Sequence, residues 1–295
     1  MENEILSDCL SRLVFTRAVN QCRARKVHGS DLSAAIQFLL PGKTAEKWLK
    51  ASISRVSRAA AQLSETSRKN GDGKIVLTQV SASSAEQISE PLFTVTMTGM
   101  SRGAAEPAAA AGKSIVASGY AGEAGSAVLA RVMNKELSRR YSAGFLAGAV
   151  SADPGHFLIA APQTVFPQGA ESSGDFCCPA GEGGIFAALW YLAEEWNCGF
   201  RVTLPDIPIR QETVEICDTF DLNPYQMASD GMALTITSEP EKAIENLRGL
   251  GAEAEIIGTL QDSRDKIIEN RGENRCLDRP APDSLLTGLE FLLRA

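Results

Sequence analysis

The chain is poor in histidine, with two in 295 residues (His28 and His156), and none of its seven cysteines forms a Cys-x-x-Cys pair. The usual zinc-ligand spacings are therefore missing. Neither histidine sits in a recognisable nucleophile motif, so a Ser/His or Cys/His centre has no candidate base; His28-Gly29-Ser30 reads as a loop. No apolar run approaches the roughly 20 residues that a membrane-spanning helix needs. The first residues, MENEILSDCL, lack the basic start and long apolar core of a signal peptide, and the expected location is the cytoplasm. Concentrated positive charge is also missing. The net charge is −7, and Lys and Arg are scattered apart from Arg23, Arg25 and Lys26. That balance offers no electrostatic footprint for nucleic acid or an anionic membrane.

What is present is the composition of a globular protein, with 44% apolar and 22% charged residues. The length suits one large domain or two ordinary ones. A chain of this size buries about three quarters of its unfolded surface and needs no disulfide or metal to fold. Cys177-Cys178 has the makings of a redox pair, but reads more simply as two inert thiols in a loop of a reducing compartment.

Apolar spacing predicts a helix from Glu2 to Lys26, through Ile5, Leu6, Leu10, Leu13, Val14 and Val19. Ala34 to Leu40, stopped by Pro41-Gly42, predicts a buried strand. A long helix is expected from Thr44 to about Ser67, then strands at Lys74–Ser81 and Leu92–Met100. The small-residue stretch Ser101 to Gly112 reads as a linker, dividing the chain into domains at 1–105 and 113–295.

The second part opens with a strand at Ser114–Ser118, whose glycine-containing turn (GYAGEAG) feeds a helix. Such a turn can offer N–H groups to a phosphate, although no Gly-Lys-Ser/Thr follows, and a plain strand-to-helix turn is the simpler explanation, since glycine first serves turn geometry. Residues 151–181 look loop-rich. A core helix is expected at Ile185–Trp196, stopped by Cys198-Gly199, then a strand at Phe200–Leu204 and a helix at Thr213–Phe220. Asn223-Pro224 starts a helical turn, and Asp230-Gly231 is expected to be a turn into a strand at Met232–Thr237. Ser238 to Glu241 reads as a capping box. Strands at Ala254–Leu260 and Lys266–Asn270 complete an α+β reading with a mixed sheet.

Several of these stretches, in consistent order over about 150 residues, resemble the AIR synthase (PurM-like) superfamily, in its AIR-synthase-related, hydrogenase-maturation-factor-like branch. They are Gly119 to Ala130, Glu182 to Leu189, Ile207-Pro208-Ile209-Arg210, Leu222 to Tyr225, Ser229 to Ala233 and Ile256-Ile257-Gly258. The resemblance implies a two-domain α+β subunit, an N-terminal domain that pairs with a second copy, and ATP with Mg²⁺ held by acidic side chains and glycine loops. Residue by residue, it places cofactor binding at Asn20, Gly119, Gly122, Gly125, Glu182, Gly183 and Gly184. It assigns no catalytic residue, and the residues by themselves fix no cofactor and no metal site.

The match has gaps. The family's opening strand, with its Gly-Asp-Asp-Ala-type motif, lies ahead of the first residue here, so a shortened N-terminal domain is expected. The family's Asn-Asp pair becomes Asn20-Gln21, and its Gly-Gly-x-Thr strand end falls at Leu77-Thr78-Gln79-Val80 without either glycine. The Asp-x-Thr-Glu-Gly-Gly signature keeps Glu182-Gly183-Gly184 alone. The cysteine that ends the dehydratase branch has no counterpart in the last residues, Leu292 to Ala295. Two readings stay open. One is a dimeric binding, regulatory or small-ligand-handling protein with an eroded Mg-ATP site. The other is an active ATP-dependent enzyme that phosphorylates an amide-type oxygen, using Glu182 and the glycine turns at 119–125 and 183–184 with acids from elsewhere; Asp31 and Asp72 are available, but nothing in their spacing marks them as metal ligands. Glu182 also suits the N-terminus of a helix with no further role.

Overall fold

The structure, a computed structural model, describes residues 2–24, 32–41, parts of 53–65, 75–85, 92–98, 111–150, 159 and 176–294. Helix α1 (Glu2–Ala24) is followed by strands β1 (Leu32–Pro41), β2 (Ile75–Ala85) and β3 (Leu92–Thr98). On β3, Thr94 and Thr96 are exposed while Val95 and Met97 are half-buried, the two-residue period of a strand with one covered face. β1 lies in the middle, parallel to β2 and antiparallel to β3. Among the described residues β2 and β3 are therefore the free edges of this sheet. Most of the helix expected at 44–67 and of the linker at 101–112 lies outside the described residues.

The remaining strands are β4 (Ser114–Ser118), β5 (Phe176–Gly181), β6 (Gly199–Thr203), β7 (Ser229–Thr237), β8 (Ala254–Gln261), β9 (Lys266–Asn270) and β10 (Glu273–Cys276). They form one mixed sheet in the order β10-β9-β6-β8-β4-β7-β5. The helices of this part are α2 (Glu123–Val132), α3 (Asn134–Leu137), α4 (Ala143–Ala149), α5 (Gly184–Glu195), α6 (Gln211–Thr219), α7 (Pro240–Gly249) and α8 (Ser284–Arg294). β4 lies inside the sheet between β8 and β7, and its alternation assigns the layers. Ile115 and Ala117 join Ile185, Leu189 and Leu192 of α5 in the main core, whereas Val116 packs with Ala243 and Leu247 of α7. A second core gathers Leu129, Leu137, Leu146, Ile216 and Leu285 from the other helices, with Cys9 and Leu13 of α1. Each large apolar side chain buried there contributes about 1.5–3 kcal/mol. α1 thus packs on the second sheet's helices, and it also touches β3 and β5. The fold is α+β with two domains, as the sequence pattern predicts.

Four local expectations need correction. The end of the loop-rich 151–181 segment is strand β5, an edge strand that tolerates Pro179, so Cys177 and Cys178 are strand residues. Asp230-Gly231 lies inside β7, and the turn ahead of that strand is the 3-10 turn Pro224–Gln226, capped by Asn223. The capping box does not form: Glu239 is the N-cap without a side-chain bond, and Thr237 Oγ1 instead accepts the Glu239 N–H at 3.0 Å. Helix α5 is stopped by Asn197 at φ 51°, with Cys198 N–H bonding Ala193 O at 3.0 Å, so asparagine takes the left-handed position expected of Gly199. β10 and α8 lie outside the elements expected from the sequence.

Candidate functional site

A cleft of about 580 Å³ opens between α1, the β5–α5 turn, β7 and the Pro280–Asp283 segment ahead of α8. From α1 it receives Arg17, Asn20 and Gln21, which share one helix face because they stand at i, i+3 and i+4. Cys178 lines the cleft from β5, and Glu182 and Gly183 from the turn. Tyr191 of α5, 63% exposed, stands at its wall.

Arg17 organises the charges. Its Nε and Nη2 donate to the two carboxylate oxygens of Asp230 at 3.1 and 3.0 Å, a fork-to-fork pair. Its Nη1 donates to Glu182 Oε2 at 2.8 Å. The Asp230 side chain is 1% exposed and that of Glu182 66%, so one bond is sealed and the other faces solvent. Burial alone pulls Arg17 down, but Asp230, Glu182 and Asp283 together hold its pKa above the ordinary value. Burial pushes Asp230 up, partly offset by Arg17.

Asp283 is a structural junction. Its Oδ2 accepts the Gly183 N–H at 2.8 Å, and its Oδ1 accepts Ala228 N–H at 3.0 Å and Leu285 N–H at 2.8 Å. It therefore caps α8, ties down the first turn of α5 and anchors the entry to β7. Burial raises its pKa against the pull of those three N–H groups. Burial also raises the Cys178 thiol to about 12, which keeps it protonated and unreactive near neutral pH.

Of the residues selected from sequence, Asn20, Glu182 and Gly183 line this cleft. Asn20 is buried, and its Oδ1 accepts the Ile159 N–H at 3.1 Å. The other glycines face protein atoms. Gly122 is the N-cap of α2 at φ 67°, and a Cβ there would stand 2.6 Å from Pro224 O. Gly119 lies against Gly231, Gly125 against Met227, and Gly184 against the Tyr225 and Met227 carbonyls. Their role in the structure is to let the two helix starts approach the 224–231 segment closely. The N–H groups of these turns have internal acceptors: Gly122 bonds Ser229 Oγ at 2.8 Å, and Gly125 bonds Ala228 O at 2.9 Å.

Three residues of the cleft were missed: Arg17, Asp230 and Asp283. Arg17 shares a helix face with Asn20, and Asp283 stands immediately ahead of an apolar helix start, so both carried a usable signal. Asp230 lies in the Ser229–Ala233 stretch that resembles the family, but Asp-Gly reads as a turn from local sequence and hid its role.

The family model described as AIR synthase related protein, C-terminal domain, matches residues 110–269, more than half of the chain. The chain belongs to the AIR synthase related family. A hydrogenase expression/formation protein of Methanocaldococcus jannaschii is 34% identical over 108 residues, covering 35% of this chain and 32% of that protein. The carbamoyl dehydratase HypE of Rhizobium leguminosarum bv. viciae is 28% identical over 162 residues, covering 51% of this chain and 41% of that one. The matched regions thus span less than half the length of either curated relative. Among solved structures, the hydrogenase maturation protein HypE in complex with ATP superposes with a TM-score of 0.67 at 18% identity, covering 94% of this chain and 81% of that chain. At that identity the likeness is one of fold. Among the described residues of this AIR synthase related chain, no three His, Cys, Asp or Glu side chains are grouped to hold a metal ion, and no helix is long and apolar enough to cross a membrane.

Proposed function

We propose that the chain is a diverged AIR-synthase-related subunit that takes a small ligand in the cleft between α1, β5 and β7 and serves as a binding or regulatory protein, with its Mg-ATP site eroded. The observation that carries this reading is the occupation of the glycine turns. Gly122, Gly125 and Gly183 donate their N–H groups to Ser229, Ala228 and Asp283, so these donors are not free to cradle a phosphate. The loss of charge at Gln21, which lines the same cleft, supports it further, since a hard cation prefers carboxylates.

The reading extends to the whole protein. The chain pairs with a second copy through the free edges β2 and β3, which a two-fold partner would cover. The domain boundary lies in the 101–112 linker, and the protein resides in the cytoplasm. The second reading, an active ATP-dependent enzyme, draws support from the ATP complex of a protein with this fold. It requires acidic residues from elsewhere, and Asp31 and Asp72 lie outside the described residues. Calorimetric titration of the purified chain with ATP, with and without Mg²⁺, separates the two. The proposal expects no Mg-dependent heat of binding; tight Mg-dependent binding would sink it.

A further inference from the structure

Three carboxylates of the cleft already have protein partners. Asp230 is held by the Nε and Nη2 of Arg17 and Glu182 by its Nη1, while Asp283 accepts three backbone N–H groups. Mg²⁺ demands about six oxygen ligands in near-octahedral array. A dication placed to use Asp230 and Glu182 would stand beside the Arg17 guanidinium, which already bonds both oxygens of Asp230 and Oε2 of Glu182 and repels a second positive charge. The described residues of the cleft therefore do not fit a resident divalent cation.

From this we infer that Arg17 stands in for a metal: its guanidinium is the fixed counter-ion of the cleft, and a ligand that enters is held there without a divalent ion. The inference rests on the reading of the cleft as the ligand site. Its geometry is that of a permanent fixture. Arg17 reaches Asp230 across 213 residues of sequence, its side chain is 16% exposed and that of Asp230 is 1% exposed. A guanidinium matches a carboxylate in a planar fork and stays charged at every ordinary pH, which a bound ion in exchange with solvent does not guarantee. Charge along α1 is consistent with the substitution. Four residues on and on the same helix face, Gln21 brings an amide to the cleft, so this face contributes a cation and no anion. Removing Arg17 would leave Asp230 and Glu182 facing the cleft uncompensated, with Asp283 nearby, an arrangement that a dication relieves.

The test uses Mn²⁺ as the probe, without nucleotide, on the full chain, read by electron paramagnetic resonance of free Mn²⁺. Arg17→Ala is expected to bind one more Mn²⁺ per chain than the parent, with an affinity at least about ten-fold above any parental site, because two freed carboxylates join the coordination. Arg17→Lys, which keeps the charge, is expected to gain none. Should Arg17→Ala be too unstable to titrate, Mn²⁺ is expected to raise its melting temperature while leaving that of Arg17→Lys unchanged. The inference is overturned if Arg17→Ala gains neither an ion nor thermal stability from Mn²⁺. It is equally overturned if the parent already holds an Mn²⁺ that Asp230→Asn abolishes. A parent that binds Mg-ATP through other residues would defeat the proposed function and leave this result readable.

Discussion

Arg17, Asp230 and the cysteines show how burial sets chemistry one side chain at a time. A guanidinium that joins a fully buried aspartate to an exposed glutamate is locked on one side and wet on the other. The locked side carries the larger consequence, since breaking a buried pair by deleting one partner costs about 3–5 kcal/mol. The thiols show burial without a partner charge. Cys178 and Cys217 are each pushed by burial from an ordinary value of 9.0 to about 12. In the unfolded chain both ionise near 9, so between pH 9 and 12 the unfolded state binds fewer protons than the folded one. The stability these thiols contribute is complete below pH 9 and is lost as pH rises toward 12. The melting temperature is therefore expected to fall across that window, and replacement of both by alanine should flatten the fall relative to the parent. A parent whose melting temperature stays level to pH 11 would contradict the assignment.

At the scale of elements, the second domain is held together where helix starts meet strand β7. Asp283 serves α8, α5 and the entry to β7 with a single carboxylate, each N–H being a donor that a helix or strand terminus would otherwise leave without a partner. Asp283→Ala removes all three acceptors at once. We expect a loss of about 2–4 kcal/mol, the combined scale of a lost N-cap and of buried N–H groups left unsatisfied. Urea denaturation followed by circular dichroism measures it, and a change within about 0.5 kcal/mol, the range of ordinary surface substitutions, would show that water replaces the carboxylate without loss. The same junction explains the glycine runs. Gly122 and Gly184 have positive φ and abut the carbonyls of Pro224, Tyr225 and Met227. A side chain at either position would push a helix start off the 224–231 segment. These glycines serve close packing here, as Asn197 serves the opposite end of α5.

For the molecule as a whole, the three-stranded sheet matters because among the described residues both of its outer strands have a free edge. β2 and β3 flank β1 with exposed threonines on β3, and edges of this kind pair readily. Static light scattering is expected to give twice the chain mass, and a monomer in concentrated solution would contradict pairing through them. Much of this architecture was legible in advance. β4 and β9 fall at the expected residues, and α5, α6 and β8 within two residues of them, because each carries an apolar period or run that no alternative packing satisfies. β5 was obscured by Pro179 and its glycines, which mark loops in isolation and are accepted at a sheet edge. The candidate site was legible in part. Glu182, Gly183 and Asn20 were marked by motif, but the motif could not distinguish a glycine that faces a ligand from one that faces its own chain.

The sequence by itself determined the α+β class, the family, the main strands and helices between residues 114 and 270 other than β5, and the spacing that puts Arg17, Asn20 and Gln21 on one helix face. These follow from local spacing and from motifs contiguous along the chain. Only the tertiary structure decided that Arg17 meets Asp230 and Glu182, that Asp283 closes three termini, and that the glycine turns spend their N–H groups inward. Apart from the local bond of Asp283 to the Leu285 N–H, those pairings join residues between 55 and 213 positions apart, and separations of that size leave no periodic trace. They arise when the chain buries its polar groups and each must find a partner or incur the cost of desolvation.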